Sequence, residues 1–191
     1  MRTSTPRLPP LTDAELSPEQ DAFIDRFRAG GADIAVTRSS LGHLRALKAL
    51  NILATHVLLS PDNTLPARER EILILRQAWL CKSGYEWARH VLIARRAGLT
   101  DAEIDALKQP VEAGNWSARD TILIETAEAL VGNHHIPDAL WARLSAQFDM
   151  QQCIDAILAV GFYSMMAMFL NTAGIQIDAD AVLDPDLDLR P

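Results

Sequence analysis

PAREREILILRQAWLCKSGYEWARHVLIARRAGLTDAEIDAL, residues 66–107, is the stretch from which the fold can be predicted. Pro66 suits the first position of a helix, which the apolar pattern extends to about Lys82. Ser83-Gly84 interrupts the pattern, and a second helix is predicted from Tyr85 to Ala97. Gly98 fits the left-handed residue that often ends a helix. The stretch therefore predicts two helices joined by a tight turn.

Helix signals continue on both sides of this pair. Ser17-Pro18-Glu19-Gln20 predicts a capped helix start, and a longer helical region is expected over residues 40–59. Further starts are predicted at Thr100, Ser117, Pro137 and Asp149, and Gly174 should end the last helix. Because strand alternation is hard to find, we predict an all-α helical bundle.

We expect one domain over residues 1–191. It would comprise a loosely held arm (1–16) with an extra N-terminal helical layer (together 1–64), a core (65–174) and an acidic tail (175–191). The tail should lie on the surface or reach a neighbouring subunit.

Composition narrows the function classes. The net charge of −7 disfavours nonspecific nucleic-acid binding, because the long-range field repels polyanions. The polar, proline-rich start has no apolar core of a secretory signal, so a cytoplasmic protein is expected. Residues 156–170 are apolar but shorter than the ~20 residues that span a bilayer, so we predict no membrane span. They suit a helix buried in the core or against another subunit.

Glu86 and His90 form the most informative chemical pattern. Four residues apart on a helix, they share one face, and Ser83 lies one turn earlier near the helix start. Unpaired N–H groups at that start favour an anion such as a carboxylate or an enolate oxygen. The pair suits proton transfer near neutral pH. The alternative is an exposed, inert Glu–His pair, which is common on helices.

The stretch from Leu65 to Leu107 resembles the carboxymuconolactone decarboxylase and alkylhydroperoxidase D-like superfamily. The likeness rests on Arg70-Glu71-x-x-x-Leu75-Arg76, on Tyr85-Glu86-Trp87-x-x-His90 and on Ala97-Gly98-Leu99-Thr100. The resemblance implies a compact all-helical fold of the alkylhydroperoxidase D-like type. It also implies a homo-oligomer, such as a trimer or hexamer.

The two branches of that family imply different chemistry. In the peroxidase branch a glutamate precedes a Cys-x-x-Cys pair and a histidine, and alignment on His90 places these at Glu71, Ser83 and Glu86. Both thiols are missing, and serine and glutamate cannot cycle through a disulfide. The decarboxylase branch lacks the cysteine pair and has a glutamate four residues before the histidine, so it is the better match.

Other residues are candidates for binding a substrate. Arg76 and Arg89 suit a substrate carboxylate, although a salt bridge for Arg76 and a solvated face for Arg89 are the alternatives. Tyr85 and Trp87 suit a pocket wall or plain core, and Tyr163 carries a hydroxyl on an apolar helix. His43, His56 and His134-His135 show no ligand spacing, so we predict no metal, and the family resemblance implies no cofactor.

Three functional hypotheses follow. The first is a cofactor-free decarboxylase or isomerase-like enzyme acting on a small organic acid or lactone, with His90, Glu86 and Glu71 as catalytic residues. In it Ser83 and the helix start would stabilise an enolate. The second is a non-enzymatic ligand-binding or assembly subunit that keeps the fold. The third is a single-thiol peroxidase that uses Cys81, for which a buried structural cysteine is the alternative.

Overall fold

Nine α-helices and no β-strand make up residues 1–190, the part of the chain that this computed structural model describes. Four short 3-10 turns join or flank them. The helices are α1 Pro18–Ala29, α2 Ala35–Ser40, α3 Leu44–Leu58, α4 Ala67–Leu80, α5 Gly84–Arg96, α6 Asp101–Ala106, α7 Ala118–Asn133, α8 Asp138–Gln147 and α9 Met150–Ala173. The all-α prediction is confirmed.

Helix α4 is the central element. It packs against α5, α7 and α9, and every residue from Glu71 to Ala78 is buried. A helix enclosed in this way cannot show a one-sided apolar stripe, because each of its faces meets a neighbour. Its polar residues are therefore buried together with Ile72 and Leu75, and they need internal partners.

Most predicted helix ends are confirmed. Capping boxes close the starts of α1, α6 and α9 at Ser17, Thr100 and Asp149, and Gly174 ends α9 in the left-handed region. The helical region expected over residues 40–59 is present, but it is not one continuous helix. The structure has α2, a 3-10 turn and α3 there, because His43 leaves the helical region and caps α3 by accepting the N–H of Ala46 through Nδ1.

Both terminal segments lie on the chain's own surface. Residues 1–16 are not a loose arm: Arg7 donates its N–H to the carbonyl of Ala173, and Met1 is buried. In the acidic tail Leu187 is fully buried, and Asp184 pairs with Lys108 at 2.6 Å. Side chains of the tail thus find their partners within the same subunit.

Helix α9 extends beyond the apolar segment 156–170 at both ends, between the predicted limits at Asp149 and Gly174. Its 24 residues have the length and composition of a possible membrane span. In its most apolar 18 residues, 56 % are buried inside the chain, and a core helix passes the same test of length and composition. The apolar side chains on its outer face are exposed, namely Met150, Ile154, Ile157, Leu158, Met165 and Met168. One face of α9 therefore packs in the core, and the opposite face exposes apolar side chains to solvent.

His56 has a buried partner that its position in the sequence did not indicate. Its Nε2 lies 2.7 Å from the buried carboxylate of Asp155, which also accepts the N–H and the hydroxyl of Thr64 at 2.7 and 2.9 Å. Burial would raise the pKa of Asp155, but the hydrogen bonds from Thr64 and His56 outweigh it and lower the pKa below 3.8. This carboxylate joins α9 to the end of α3 and to the following loop.

We expect Asp155→Asn to lower the free energy of unfolding by about 2 kcal/mol at neutral pH, since charge-assisted hydrogen bonds are lost. A carboxyl group with a lowered pKa in the fold stabilises it above the ordinary value of 3.8, and this stabilisation is lost as the pH falls. Urea unfolding across the acidic range should therefore show a shallower loss in the variant than in the parent. Identical acid profiles of the two proteins would contradict the role given to Asp155.

Candidate functional site

The turn between α4 and α5 places the candidate residues against one another. Lys82 adopts a left-handed conformation (φ 53°), and Ser83 donates its N–H to the carbonyl of Ala78. Gly84 then begins α5 where the chain termini pass closely. A Cβ at this position would lie 2.6 Å from the backbone nitrogen of Met1 and 2.9 Å from the Leu183 side chain. Glycine is needed here because of this close approach.

Glu71 and His90 meet across the α4–α5 interface. His90 Nδ1 lies 2.8 Å from Glu71 Oε2, and both side chains are buried, with exposed fractions of 6 % and 0 %. Since an ionised carboxylate only accepts, Nδ1 carries the proton in this pair. Nε2 is then the nitrogen that can exchange a proton with a bound molecule. Glu71 fixes both the tautomer and the orientation of the ring.

Tyr163 of α9 covers the imidazole. The two ring centroids are 4.5 Å apart and the rings are nearly perpendicular, at 82°. Burial, followed by the proximity of the Glu71 and Glu86 carboxyl groups, raises the pKa of the Tyr163 phenol. The structure therefore brings Tyr163 to the histidine, as a neutral phenol.

Glu86 is in a different environment from Glu71. It is 2 % exposed, its Oε2 has a long hydrogen bond (3.4 Å) from the Ser83 hydroxyl, and its Oε1 has no partner. Burial raises the pKa of Glu86 well above 4.5, and the weak bond from Ser83 only partly opposes this. Burial thus favours the protonated carboxylic acid form of Glu86, whereas Glu71 is hydrogen-bonded to the imidazole of His90.

Gln77 and Cys81 extend this polar region along α4, and the sequence reasoning missed Gln77. Its amide is fully buried beside the Cys81 thiol without a well-formed hydrogen bond. Their spacing of four residues, which places both on one helix face, was the available signal. Burial raises the pKa of the Cys81 thiol, the nearby Gln77 amide and Ser164 hydroxyl lower it, and the neighbouring Glu86 carboxyl group raises it. The net shift is upward, which disfavours the thiolate.

The two cysteines are far apart. The Cys81 thiol lies beside Ser164 of α9, and Cys153 is on the same helix eleven residues earlier. At the rise of an α-helix this separates them by about 16 Å, well beyond the reach of a disulfide. Cys153 is also buried, with its thiol against the carbonyl of Phe148.

The structure does not bring the predicted arginines to the histidine. Arg76 is buried and donates to Glu128 of α7 and to the carbonyls of Leu107 and Gln109, with Nη1 at 2.7 and 2.9 Å from these two oxygens. Arg89 donates to Asp180 of the tail at 2.6 Å. The hydrogen-bond donors of Arg76 are therefore occupied by groups of the same chain. Arg89 forms an ion pair with Asp180, which is 64 % exposed, and exposed pairs contribute little to stability.

The two predicted aromatic wall residues also face away from the imidazole. Tyr85 donates its hydroxyl to Asp178 of the tail at 2.6 Å and packs against Leu170 and Ile175. Trp87 is 2 % exposed in the main core, with its ring 5.5 Å from that of Trp79. It also lines a groove of about 470 Å³ between α5, α6 and the tail.

The acid–imidazole cluster is buried in the single chain, with Glu71, Glu86 and His90 exposed by 0 %, 2 % and 4 %. Four cavities elsewhere in residues 1–190 are lined by other residues. Across the same residues, no three His, Cys, Asp or Glu side chains are arranged as metal ligands. The chemistry that this arrangement offers is proton transfer between two carboxyl groups, an imidazole and a small bound molecule.

Comparisons with known proteins match part of the sequence to a family. Residues 45–128, which include the whole α4–α5 pair, match the model of the carboxymuconolactone decarboxylase family. None of the curated proteins compared with the chain matches it significantly.

Similar solved structures share the fold over nearly the whole chain. One is the alkylhydroperoxidase AhpD core of an uncharacterized peroxidase-related protein from Ralstonia eutropha JMP134, with a TM-score of 0.79, 16 % identity and coverage of 92 % of this chain and 93 % of that one. Another, from Silicibacter sp. TM1040, is also peroxidase-related, with a TM-score of 0.79, 17 % identity and coverage of 93 % and 96 %.

A third similar structure is the debrominase Bmp8, of which a cysteine-to-alanine variant was solved in complex with 2,3,4-tribromopyrrole. It gives a TM-score of 0.75 at 11 % identity and covers 93 % of this chain and 94 % of that one. At these identities the three structures bear on the fold alone. Residues 45–128 match the family model, and the structures show that the chain as a whole has the alkylhydroperoxidase D-like fold.

Proposed function

We propose that the chain is a cofactor-free, decarboxylase-like enzyme that acts on a small organic acid or lactone by general acid–base chemistry. The observation that carries this proposal is the unequal environment of two buried carboxyl groups, one bonded to His90 and the other four residues before it on the same helix. Each has one oxygen without a partner, but the other oxygen of Glu71 lies 2.8 Å from His90 Nδ1, whereas that of Glu86 has only a 3.4 Å hydrogen bond from Ser83. Pairs of titratable groups in such contrasting environments are typical of acid–base sites.

The roles follow from these environments. In a decarboxylation the C–C bond to the substrate carboxylate breaks, CO₂ leaves, and the electron pair moves onto the neighbouring carbonyl as an enolate. The Ser83 hydroxyl and the N–H groups at the start of α5 would stabilise this charge. Glu86, as a carboxylic acid, would protonate the carbon and regain a proton from water through His90 Nε2. Glu71 would orient the ring.

Substrate entry requires a local opening, since Tyr163 covers the imidazole. Neither of the arginines predicted to hold a substrate carboxylate contacts His90 in the structure, and of the two Arg89 is the more easily freed from its partners. Its partner Asp180 is 64 % exposed and belongs to the tail, so exchange for a substrate carboxylate costs little. Arg76 would have to abandon Glu128 and two carbonyls.

The test is turnover of a panel of small lactones and 3-oxo acids, followed as CO₂ release and by product analysis. We expect His90→Gln to lower turnover by about 10²–10⁴-fold, which is the usual contribution of general acid–base catalysis. His135→Gln changes an exposed loop histidine and serves as the matched control. A correctly folded His90→Gln protein with parental turnover would refute the proposal.

The second candidate function is a non-enzymatic ligand-binding or assembly subunit. The observation that favours it is the burial of the cluster, since Glu71, Glu86 and His90 are all 4 % exposed or less. This candidate predicts that the parent protein turns over no member of the panel. The panel therefore separates the two candidates directly.

A thiol peroxidase is the least supported of the three hypotheses. Burial raises the pKa of Cys81, and Cys153 is too far away to resolve an oxidised thiol. The cysteine replaced in the Bmp8 variant belongs to that debrominase and assigns no role to Cys81. Because the proposed acid–base reaction needs no thiol, Cys81→Ser should retain it.

We also propose that the chain forms a homo-oligomer. The outer face of α9 exposes a row of apolar side chains, with Ile154 at 49 % and Met168 at 66 % exposed, and Ile52 and Leu59 of the α3 region add to the apolar surface. Contiguous apolar surface of this kind usually marks an interaction site. A second copy of the chain would cover it.

A further inference from the structure

Arg70, in the first turn of α4, differs from the other arginines of the structure. Arg68, Arg76 and Arg119 each pair with a carboxylate. Arg70 forms no ion pair within residues 1–190, although its side chain is partly buried. The other arginines without an ion pair in this range are all exposed, namely Arg2, Arg7, Arg26, Arg45 and Arg96. In the described chain, Arg70 is thus the one arginine that is partly buried and lacks a counter-charge.

The guanidinium of Arg70 is also poorly hydrogen-bonded. Its Nε is buried and has no acceptor. Its Nη1 and Nη2 lie 3.5 and 3.4 Å from the carbonyls of Leu65 and Leu58, longer than the usual range of about 2.7–3.2 Å. A guanidinium presents its donors in a planar fork that matches the two oxygens of a carboxylate. The donors of Arg70 are therefore available for an anion.

Arg70 lies on the face of α4 that meets Tyr163. It is four residues before Ile74, so the two share a helix face. Ile74 packs with Tyr163 and Leu58 in one apolar cluster, and Arg70 contacts the carbonyl of Leu58. Burial raises the pKa of the Tyr163 phenol, and the charge of Arg70 opposes that rise, so the guanidinium is within electrostatic range of the phenol. Arg70 is therefore close to the side chain that covers His90.

A substrate carboxylate that approaches His90 needs a cation nearby. The Glu71 carboxylate, 2.8 Å from His90 Nδ1, would repel a second anion at short range. Arg70 is partly exposed and lies at the edge of the core, whereas His90 lies inside it. An anion could therefore reach the guanidinium first, and its uncharged part would then contact the imidazole once Tyr163 moves aside.

We propose that Arg70 binds a carboxylate of the substrate, so that the substrate is an anion rather than a neutral lactone. This inference rests on the proposed acid–base function. The bound carboxylate would accept N–H groups of the guanidinium in place of the long hydrogen bonds to the Leu58 and Leu65 carbonyls. Arg70 would thus position the substrate and take no part in proton transfer.

The test measures binding without turnover, by ligand-observed NMR titration. The probe is levulinate, a 4-oxo acid whose carbonyl is too far from the carboxylate to accept the electron pair of a decarboxylation. Methyl levulinate is its uncharged counterpart. The parent should bind levulinate more tightly than the ester. We expect Arg70→Gln to weaken levulinate binding by about tenfold or more, as for the loss of a charge-assisted hydrogen bond, and to leave ester binding unchanged.

Two further variants sharpen the test. Arg70→Lys keeps the charge and loses the planar fork, so it should recover part of the levulinate affinity. Arg96→Gln removes an exposed arginine that forms no ion pair within residues 1–190, and this matched control should bind both probes as the parent does.

A purely structural role of Arg70 predicts a different result. If its main role were to cap the end of α3 through the Leu58 carbonyl, Arg70→Gln would lower the urea midpoint and weaken the binding of both probes alike. We expect an unchanged midpoint, because the hydrogen bonds to Leu58 and Leu65 are long.

Three outcomes would overturn the inference. They are equal affinity of the parent for levulinate and its ester, parental levulinate binding by Arg70→Gln, and the same loss in Arg96→Gln as in Arg70→Gln. Failure of the proposed function looks different: the panel shows no turnover, while levulinate binding still depends on Arg70. For any acid of the panel that is turned over, Arg70→Gln should raise KM with little change in kcat.

Discussion

Glu86→Gln should be more stable than the parent protein at neutral pH. The parent buries a carboxyl group whose pKa is raised well above 4.5, because burial penalises its charged form. In the unfolded chain the same group ionises at its ordinary pKa. The folded state therefore holds a proton that the unfolded state releases, and this difference destabilises the fold as the pH rises. Glutamine has nearly the same shape and does not titrate.

The sign and slope of the effect can be stated. Above 4.5, and until the folded-state pKa is reached, Glu86 alone should lower the free energy of unfolding by about 1.4 kcal/mol per pH unit. Urea unfolding of both proteins at a series of pH values measures this slope. The advantage of Glu86→Gln should grow from acidic to neutral pH.

The control for this prediction is Glu112→Gln, because Glu112 is exposed in a short 3-10 turn and has little to gain. Its stability should follow that of the parent at every pH. A Glu86→Gln variant that is less stable than the parent at neutral pH would show that Glu86 is ionised in the fold, and would remove the proton donor from the proposed mechanism.

Glu71→Ala should have the opposite effect and lower the free energy of unfolding by about 3 kcal/mol. The substitution removes the hydrogen bond at 2.8 Å to His90 Nδ1 and leaves a buried N–H without a partner. It also leaves a void at the centre of the bundle, since Glu71 is fully buried in α4.

A surface pair provides the comparison for Glu71→Ala. Glu19 is 73 % exposed and pairs with Lys48 at 2.7 Å, so Glu19→Ala should cost less than about 1 kcal/mol. Chemical denaturation followed by circular dichroism measures both variants. Equal, small losses in the two proteins would mean that the Glu71–His90 contact contributes little to the fold.

Opposite signs at Glu71 and Glu86 would have a functional meaning. A fold gains nothing in stability from a buried, half-satisfied carboxylic acid, and proteins keep such groups chiefly where chemistry needs them. The two variants thus test whether the cluster is specialised for proton transfer or only packed.

Local signals in the sequence predicted the helices well. Ser17, Thr100 and Asp149 cap helices as expected, because a capping box involves residues only three apart. The break at His43 was missed, since its ring caps α3 in place of the usual Ser, Thr, Asp or Asn.

The candidate site was predictable in part. The spacing of four residues placed Glu86 and His90 on one face, and the family resemblance added Glu71. Spacing could not show that the imidazole would bond to Glu71 of another helix and leave Glu86 with an unpartnered oxygen. That choice depends on how α4 and α5 dock, which is a tertiary property.

Contacts between distant segments were the least predictable. Arg76 finds Glu128, which is 52 residues away, and His56 finds Asp155, which is 99 residues away. Such pairs leave no periodic trace in a single sequence. The partners of Arg76 and His56 could therefore be identified only from the structure.

The order in which the cluster is assembled follows from the chain topology. Helices α4 and α5 are joined by a tight turn, so their docking closes a short loop, whereas Tyr163 arrives on α9 from much later in the chain. Short-range contacts form fast, and distant ones must first overcome a larger loop-closure entropy. The topology therefore predicts that the Glu71–His90 bond forms in an early α4–α5 hairpin that is still open to water, and that the later docking of Tyr163 excludes the solvent.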